Sequence, residues 1–196
     1  FTSLNFQKKD FSWRTSVNLT FPENELVSYP SLEESPYANT YRIGEPLNIA
    51  LLYQYEGINP ETGFYEVADI NGDGRFDYED QVVVQNQNRQ YYGGIQNQFT
   101  YKNFSLQFLW QFVKQEGRLT LFNTGSLGNS RAVVAEALTD NSTYQSISNS
   151  SESRRAYNYA SASSLGYTDA SFLRLKTLAL NYNLPSAPLQ KIGMRG

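Results

Sequence analysis

The sequence predicts an all-β chain whose antiparallel strands are part of the wall of a transmembrane β-barrel. Three observations carry that prediction. Several segments alternate strictly, with aromatic and aliphatic side chains on one face and Ser, Thr, Asn and Gln on the other. Aromatic residues, among them Phe11, Trp13, Tyr92, Tyr101, Phe104 and Tyr182, gather at the ends of those segments, as they do at the two interfaces of a membrane. The connections are either very short or very long, which is the asymmetry of outer-membrane barrels.

The elements follow in chain order. Residue one already lies in an alternating pattern, which descends to Phe6 and reverses in a short connection over residues 7–10. From there FSWRTSVNLTF places Phe11, Trp13, Thr15, Val17, Leu19 and Phe21 on one face and Ser12, Arg14, Ser16, Asn18 and Thr20 on the other. At about 3.3 Å per residue and a tilt of about 45°, such a strand spans the roughly 25 Å apolar band of a barrel. A long connection follows, about residues 22–91. Within it Leu47, Ile49, Leu51, Tyr53 and Tyr55 alternate, Asn59, Pro60 and Gly63 bracket a turn, and residues 63–68 are expected to return as a partner strand.

Residues 92–113 read as a long amphipathic hairpin. Ile95, Phe99 and Tyr101 alternate with Gln96, Gln98 and Thr100, Lys102 and Asn103 turn, and Phe104, Leu106, Phe108, Trp110 and Phe112 alternate with Ser105, Gln107 and Gln111. The second long connection, about residues 114–170, holds a short helix expected over 131–138. A Ser/Asn/Tyr-rich stretch over 139–165 then offers little reason to order on its own. The last segment, 172–184, sets Leu178, Leu180, Tyr182 and Leu184 on one face, but Leu173 and Leu175 fall on the opposite phase. That switch predicts a bulge near Lys176 or an exit from the apolar layer. A short connection over 185–191 follows.

Strand direction alternates through this series, so every short turn lands on one side, the periplasm, and both long loops are extracellular. Phe11, Trp13, Val17, Leu19, Phe99, Phe104, Leu106, Phe108, Trp110, Phe112, Leu178, Leu180 and Tyr182 are then expected to face lipid. A soluble β-sandwich also alternates; strand length and the end-clustered aromatics weigh against it.

Composition narrows function by exclusion. The 196 residues contain no His and no Cys, which removes the usual general base, the Ser-His and Cys-His nucleophile pairs, thiol chemistry and the commonest zinc ligands. No acid–base constellation points to an enzyme. A net charge of −3 gives no basic field for nucleic acid. Charged residues are only 18% and aromatics 15%, the balance of a surface wet on one side and greasy on the other. Mean hydropathy is −0.53, and no apolar run approaches the roughly 18 residues of a spanning helix. Without an initiator Met, signal peptide or lipidation motif, the chain is expected to be a piece of something longer.

One local motif carries chemistry of its own. Residues 69–80 read DINGDGRFDYED, with side-chain oxygens on Asp69, Asn71 and Asp73, Gly74 at the sixth position, the Arg75 carbonyl at the seventh and Asp80 at the twelfth. That spacing wraps a hard cation in oxygen ligands and predicts a structural calcium. The same residues also make a plain Asx-rich turn held by local hydrogen bonds. Val82, Val83 and Val84 follow directly, so no helix–loop–helix sensor is built here. Glu33 and Glu34, in a Pro/Ser loop without a base partner, read as solvated charges, and Arg14 as an ordinary lumen-facing residue.

Four ordered stretches then form a family pattern: KDFSWRTSVNLTF, YRIGEPLNI with YQYEGINPETGFYEVADINGDGRFDYED, YYGGIQNQFTYKNFSLQFLWQF, and YTDASFLRLKTLALNYNLP. They resemble, in order and spacing, the C-terminal part of the SusC/RagA class of TonB-dependent outer-membrane transporters, over nearly the whole chain except 125–165. The resemblance implies part of a 22-stranded barrel in the outer membrane of a Gram-negative bacterium, with the rest of the barrel polypeptide outside this chain. It implies import of oligosaccharides or peptides with a SusD-like surface lipoprotein, powered by TonB through a plug domain that these residues do not include. The competing reading is a soluble extracellular β carbohydrate-binding module stabilised by calcium.

Overall fold

The structure, a computed structural model, describes residues 1–119, 122, 145 and 150–185. The chain divides into two compact units, one built from Phe1–Pro22, Arg89–Gln115 and the segment from Ser171 on, the other from Glu23–Asn88 and Glu116–Ala170.

The first unit is a five-stranded antiparallel sheet of β1 (Thr2–Lys8), β2 (Phe11–Thr20), β7 (Tyr91–Tyr101), β8 (Phe104–Lys114) and β11 (Phe172–Tyr182), in that spatial order. Each strand neighbours the next of the series, as an up-and-down wall requires. Turns at Lys9–Asp10 and Lys102–Asn103 join strands at one end, where the Lys102 N–H donates to the Asp10 carbonyl at 2.8 Å. At the other end the chain leaves the sheet after β2 and after β8 and returns at β7 and β11.

Register lines the side chains up in rows. One apolar row runs Phe11, Tyr101, Phe104, Tyr182; the next runs Trp13, Phe99, Leu106, Leu180. Aromatic neighbours along and between these rows make close pairs, with ring centroids 4.4 Å apart for Phe104–Tyr182 and 5.6 Å for Trp13–Phe99. Such cross-strand pairs contribute about 0.2–1 kcal/mol each. Gly93 occupies the row of Leu19 and Phe112 because a Cβ there would come within 2.7 Å of the Phe112 ring and 2.2 Å of the Asn18 carbonyl oxygen. The reverse face carries rows of the opposite character, such as Arg14, Gln98, Gln107, Ala179 and Ser12, Thr100, Ser105, Asn181.

The bulge expected near Lys176 is present: β11 pairs regularly with β8 except for one extra residue between Leu175 and Thr177. It returns Leu175 and Leu173 to the apolar face, opposite Trp110 and Phe112, so the phase switch in the sequence is a bulge and not an exit from the layer. A second irregularity lies between Leu4 and Phe6 in β1.

The sheet has no core of its own. Leu173, Leu178 and Leu180 are 66%, 66% and 69% exposed, so none of the described residues covers the apolar face there. Among the described residues, only Val113 of this unit is a buried hydrophobe; Leu52, Tyr53, Tyr65, Val67, Ala68 and Ala160 all belong to the second unit. A β-sandwich would bury this face against a second sheet.

The second unit is assembled from short pieces. β3 (Ile49–Leu52) pairs with β6 (Val83–Asn86), β4 (Tyr55–Ile58) with β5 (Tyr65–Val67), and β9 (Glu116–Arg118) with β10 (Tyr167–Asp169). Residues 63–68 therefore return only against the end of the alternating run. Its first part takes β6 instead, and Tyr53 leaves the pattern to exchange backbone bonds with Ala162 and Ser164. The stretch 139–165 offers little reason to order on its own, and within its described part the structure places α1 (Ser151–Ser161), a helix the sequence does not predict. Its N-terminus is capped by the Ser150 side chain, which accepts from the Ser153 N–H at 3.0 Å, and its buried face holds Ser153 and Ala160. Tertiary packing overrides a composition poor in apolar residues. The helix expected over 131–138 lies outside the described residues, as does most of the connection over 185–191.

Candidate functional site

The loop of residues 69–80 lies between β5 and β6 and is braced by its own side chains. Asp69 accepts from the N–H groups of Gly72 and Gly74, both at 2.8 Å; Asn71 accepts from Asp73 at 3.0 Å, and Asp73 from Arg75 at 2.8 Å. Gly74 sits at φ 77°, the left-handed conformation for which position six needs glycine. Asp77 caps a single 3₁₀ turn, Tyr78–Asp80, by accepting from Glu79. Asp80 is fully buried and closes the loop: one carboxylate oxygen accepts from Ile70 at 2.8 Å, the other from Asp77 at 3.1 Å. The five residues expected to ligate calcium thus share one loop. In this arrangement the side-chain oxygens of Asp69, Asn71, Asp73 and Asp80 accept from backbone N–H groups, and among the described residues no three acidic side chains are gathered to hold a metal ion. A carboxylate oxygen keeps a second lone pair beside each such bond.

Beside this loop, within the same unit, an open cleft of about 610 Å³ is lined by Phe64, Phe76 and Tyr159 and by the charged residues Glu66, Arg75, Glu152 and Arg155. Phe76 and Tyr159 pack with ring centroids 5.0 Å apart, and Tyr159 meets the buried Tyr53 edge-on at 5.5 Å. Tyr53 is 6% exposed, and burial pushes its hydroxyl above the ordinary value; a hydrogen bond with Gln81 opposes the shift. Sequence reasoning found Arg75 only for its carbonyl and missed Glu152 and Arg155, which stand on α1. The signal available was faint, an apolar spacing of Ala156, Tyr159 and Ala160. Glu33 and Glu34 lie in an exposed 3₁₀ turn, and Arg14 stands in a polar row of the large sheet, as expected.

No family model matches the chain. It is 26% identical over 223 aligned residues to TonB-dependent receptor P3 of Formosa agariphila, an alignment covering 98% of this chain and 22% of that protein. Its fold matches the RagAB peptide importer in the open-open state, with a TM-score of 0.69 at 18% identity, over 96% of this chain and 22% of that one. The closed-closed state gives 0.62 at 20% identity. The chain thus spans about a fifth of the length of the relatives it matches. Their names are those of a receptor and an importer, not of an enzyme. Sequence and fold therefore meet on the same resemblance, to a segment of a SusC/RagA-type TonB-dependent receptor, whose barrel supplies the architecture of the five-stranded sheet.

Proposed function

We propose that this chain is part of an outer-membrane active importer of a Gram-negative bacterium, which takes up oligosaccharides or peptides with a SusD-like surface lipoprotein and is driven by TonB. One observation carries the reading. Among the described residues, the large sheet is greasy on a face left exposed at Leu173, Leu178 and Leu180 and polar on the other, and its edge strands β1 and β11 each pair on one side only. Lipid on one side, a wet lumen on the other and further strands at each edge satisfy all three conditions. The two long connections are the extracellular loops, where ligand and lid meet the barrel, and the plug that engages TonB lies outside these residues. Calcium in the loop of residues 69–80 belongs to the same proposal; the one-three-five oxygen spacing and the left-handed Gly74 support it.

The test is made on the full-length protein in a Gram-negative host. It fractionates with the outer membrane, and cells accumulate labelled oligosaccharides or peptides in a manner abolished by removing TonB. Recovery as a soluble extracellular monomer would return the sequence to the carbohydrate-binding module.

A further inference from the structure

We propose that the cleft bounded by α1, the β4–β5 hairpin and Arg75 with Phe76 binds short peptides that carry charges of both signs, an assignment that rests on the importer reading and narrows its substrate. The cleft has the volume of a small-ligand site, for which roughly 300–1,000 Å³ is usual. Its walls combine rings, from Phe64, Phe76 and Tyr159, with four charged groups.

The state of those charges carries the argument. Among the described residues, neither the Arg75 nor the Arg155 guanidinium has a hydrogen-bond or ion-pair partner. Glu152 and Arg155 stand three apart on one helix face, the spacing at which opposite charges commonly pair, yet they form no pair. Glu152 has no partner either, and Glu66 accepts one hydrogen bond, from the Asn59 side chain at 3.3 Å. Two guanidiniums and two carboxylates therefore line one aromatic-walled space, and among the described residues only Glu66 of the four has a hydrogen-bond partner. A guanidinium presents a planar fork of donors that matches a carboxylate, and a carboxylate accepts from an ammonium. A wholly anionic oligosaccharide would satisfy the arginines but would be repelled by Glu66 and Glu152. A neutral one would leave all four charges without a counterpart. A peptide with a free ammonium and a free carboxylate, or with acidic and basic side chains, matches both signs and lays its apolar side chains on the rings.

The experiment is isothermal titration of the full-length protein in detergent with the pentapeptide AEFKA, both termini free, and in parallel with trigalacturonate. The peptide is expected to bind, and trigalacturonate is not. The double variant Arg75→Gln, Arg155→Gln should weaken the peptide about tenfold or more, the usual worth of losing charge-assisted hydrogen bonds, and Glu66→Gln, Glu152→Gln should weaken it as well. All four side chains are exposed, so the variants keep the fold, as circular dichroism should verify. No peptide binding, equal affinity in wild type and variants, or arginine-dependent binding of trigalacturonate overturns the proposal. Uptake separates the two levels: TonB-dependent accumulation of peptide that is unchanged in the arginine variant sinks the cleft and leaves the importer, whereas no TonB-dependent accumulation of any substrate sinks the importer.

Discussion

Leu175 lies opposite Trp110 although, counted from Leu178, it falls on the wrong phase of its strand; the extra residue Lys176 sets the register right. Deleting one residue from a strand ordinarily moves everything beyond it to the other face. Here the deletion of Lys176 removes the bulge and leaves Leu173, Leu175, Leu178 and Leu180 on the apolar face. The deletion variant should refold in detergent with stability within about 1 kcal/mol of wild type, the scale of a tolerated surface change. Deletion of Leu109 in β8, which has no bulge to absorb it, should abolish refolding.

Val17 and Phe108 occupy the apolar face in the middle of β2 and β8, and Ser16 and Gln107 the polar face beside them. If the apolar face meets lipid, Arg at Val17 or Phe108 should cost about 2–4 kcal/mol in a urea titration of the refolded full-length protein, whereas Arg at Ser16 or Gln107 should cost little. The reverse ranking would mean that the sheet is inside out.

Asn97 is the polar member of the apolar face. Its side-chain oxygen accepts from the Trp13 indole N–H at 2.9 Å and from the Thr15 hydroxyl at 2.7 Å, and Thr15 in turn accepts from the Asn5 side chain. These four side chains tie β1, β2 and β7 together. Asn97→Ala leaves the indole N–H unpaired and should cost about 1–3 kcal/mol. With Trp110→Phe as background, it should also shift the fluorescence of Trp13, which reports the contact directly.

These three predictions concern strands that were legible in the sequence, and for one reason: a face that is apolar almost throughout, with Thr15 and Asn97 paired on it, fixes period, length and register together. Even the bulge at Lys176 left its mark as a change of phase. The second unit was less legible because its pairings are short and distant. Nothing local to Ile49–Leu52 points to Val83–Asn86 rather than to the nearer Tyr65–Val67. Helix α1 was missed because Ser, Arg and Asn dominate it, and its order comes from a cap at Ser150 and the burial of Ala160. The loop of residues 69–80 could be read because its bonds are local. The cleft beside it could not, because Arg75 and Arg155 meet only through the tertiary fold.

Tyr53 gives the second unit a pH dependence. Burial, aided by Tyr159 and the Asp80 and Asp77 carboxylates, raises its hydroxyl above the ordinary 10.0, and the Gln81 hydrogen bond only partly offsets this. A folded state that holds a proton more tightly than the unfolded chain is stabilised below the ordinary value, and that contribution is lost as pH rises through the folded one. Alkaline unfolding, followed by helix circular dichroism, should therefore begin at higher pH in Tyr53→Phe than in wild type. Near-ultraviolet absorbance should show one tyrosine fewer ionising late.

The last prediction concerns the loop closed by Asp80. Asp69 accepts from the Gly72 and Gly74 N–H groups and Asp73 from that of Arg75, and each carboxylate oxygen keeps a second lone pair beside such a bond. Calcium would have to draw those oxygens, with Asn71 and the Arg75 carbonyl, to about 2.3–2.6 Å from one point, and it would relieve the repulsion among carboxylates crowded into one loop. Asp80 is held in place by the N–H groups of Ile70 and Asp77, one on each carboxylate oxygen, and breaking those bonds would cost about 1–3 kcal/mol each when buried. Calcium held by Asp69, Asn71, Asp73, Asp80 and the Arg75 carbonyl should stiffen the loop and leave the barrel strands untouched. Proteolysis of the full-length protein across a calcium titration should show protection of the loop in wild type and none in the double variant Asp69→Ala, Asp73→Ala. Equal protection of both proteins, or of neither, would reduce the motif to its turn. Asp80→Asn should then loosen the loop with or without calcium, because the amide presents one acceptor where the carboxylate presented two.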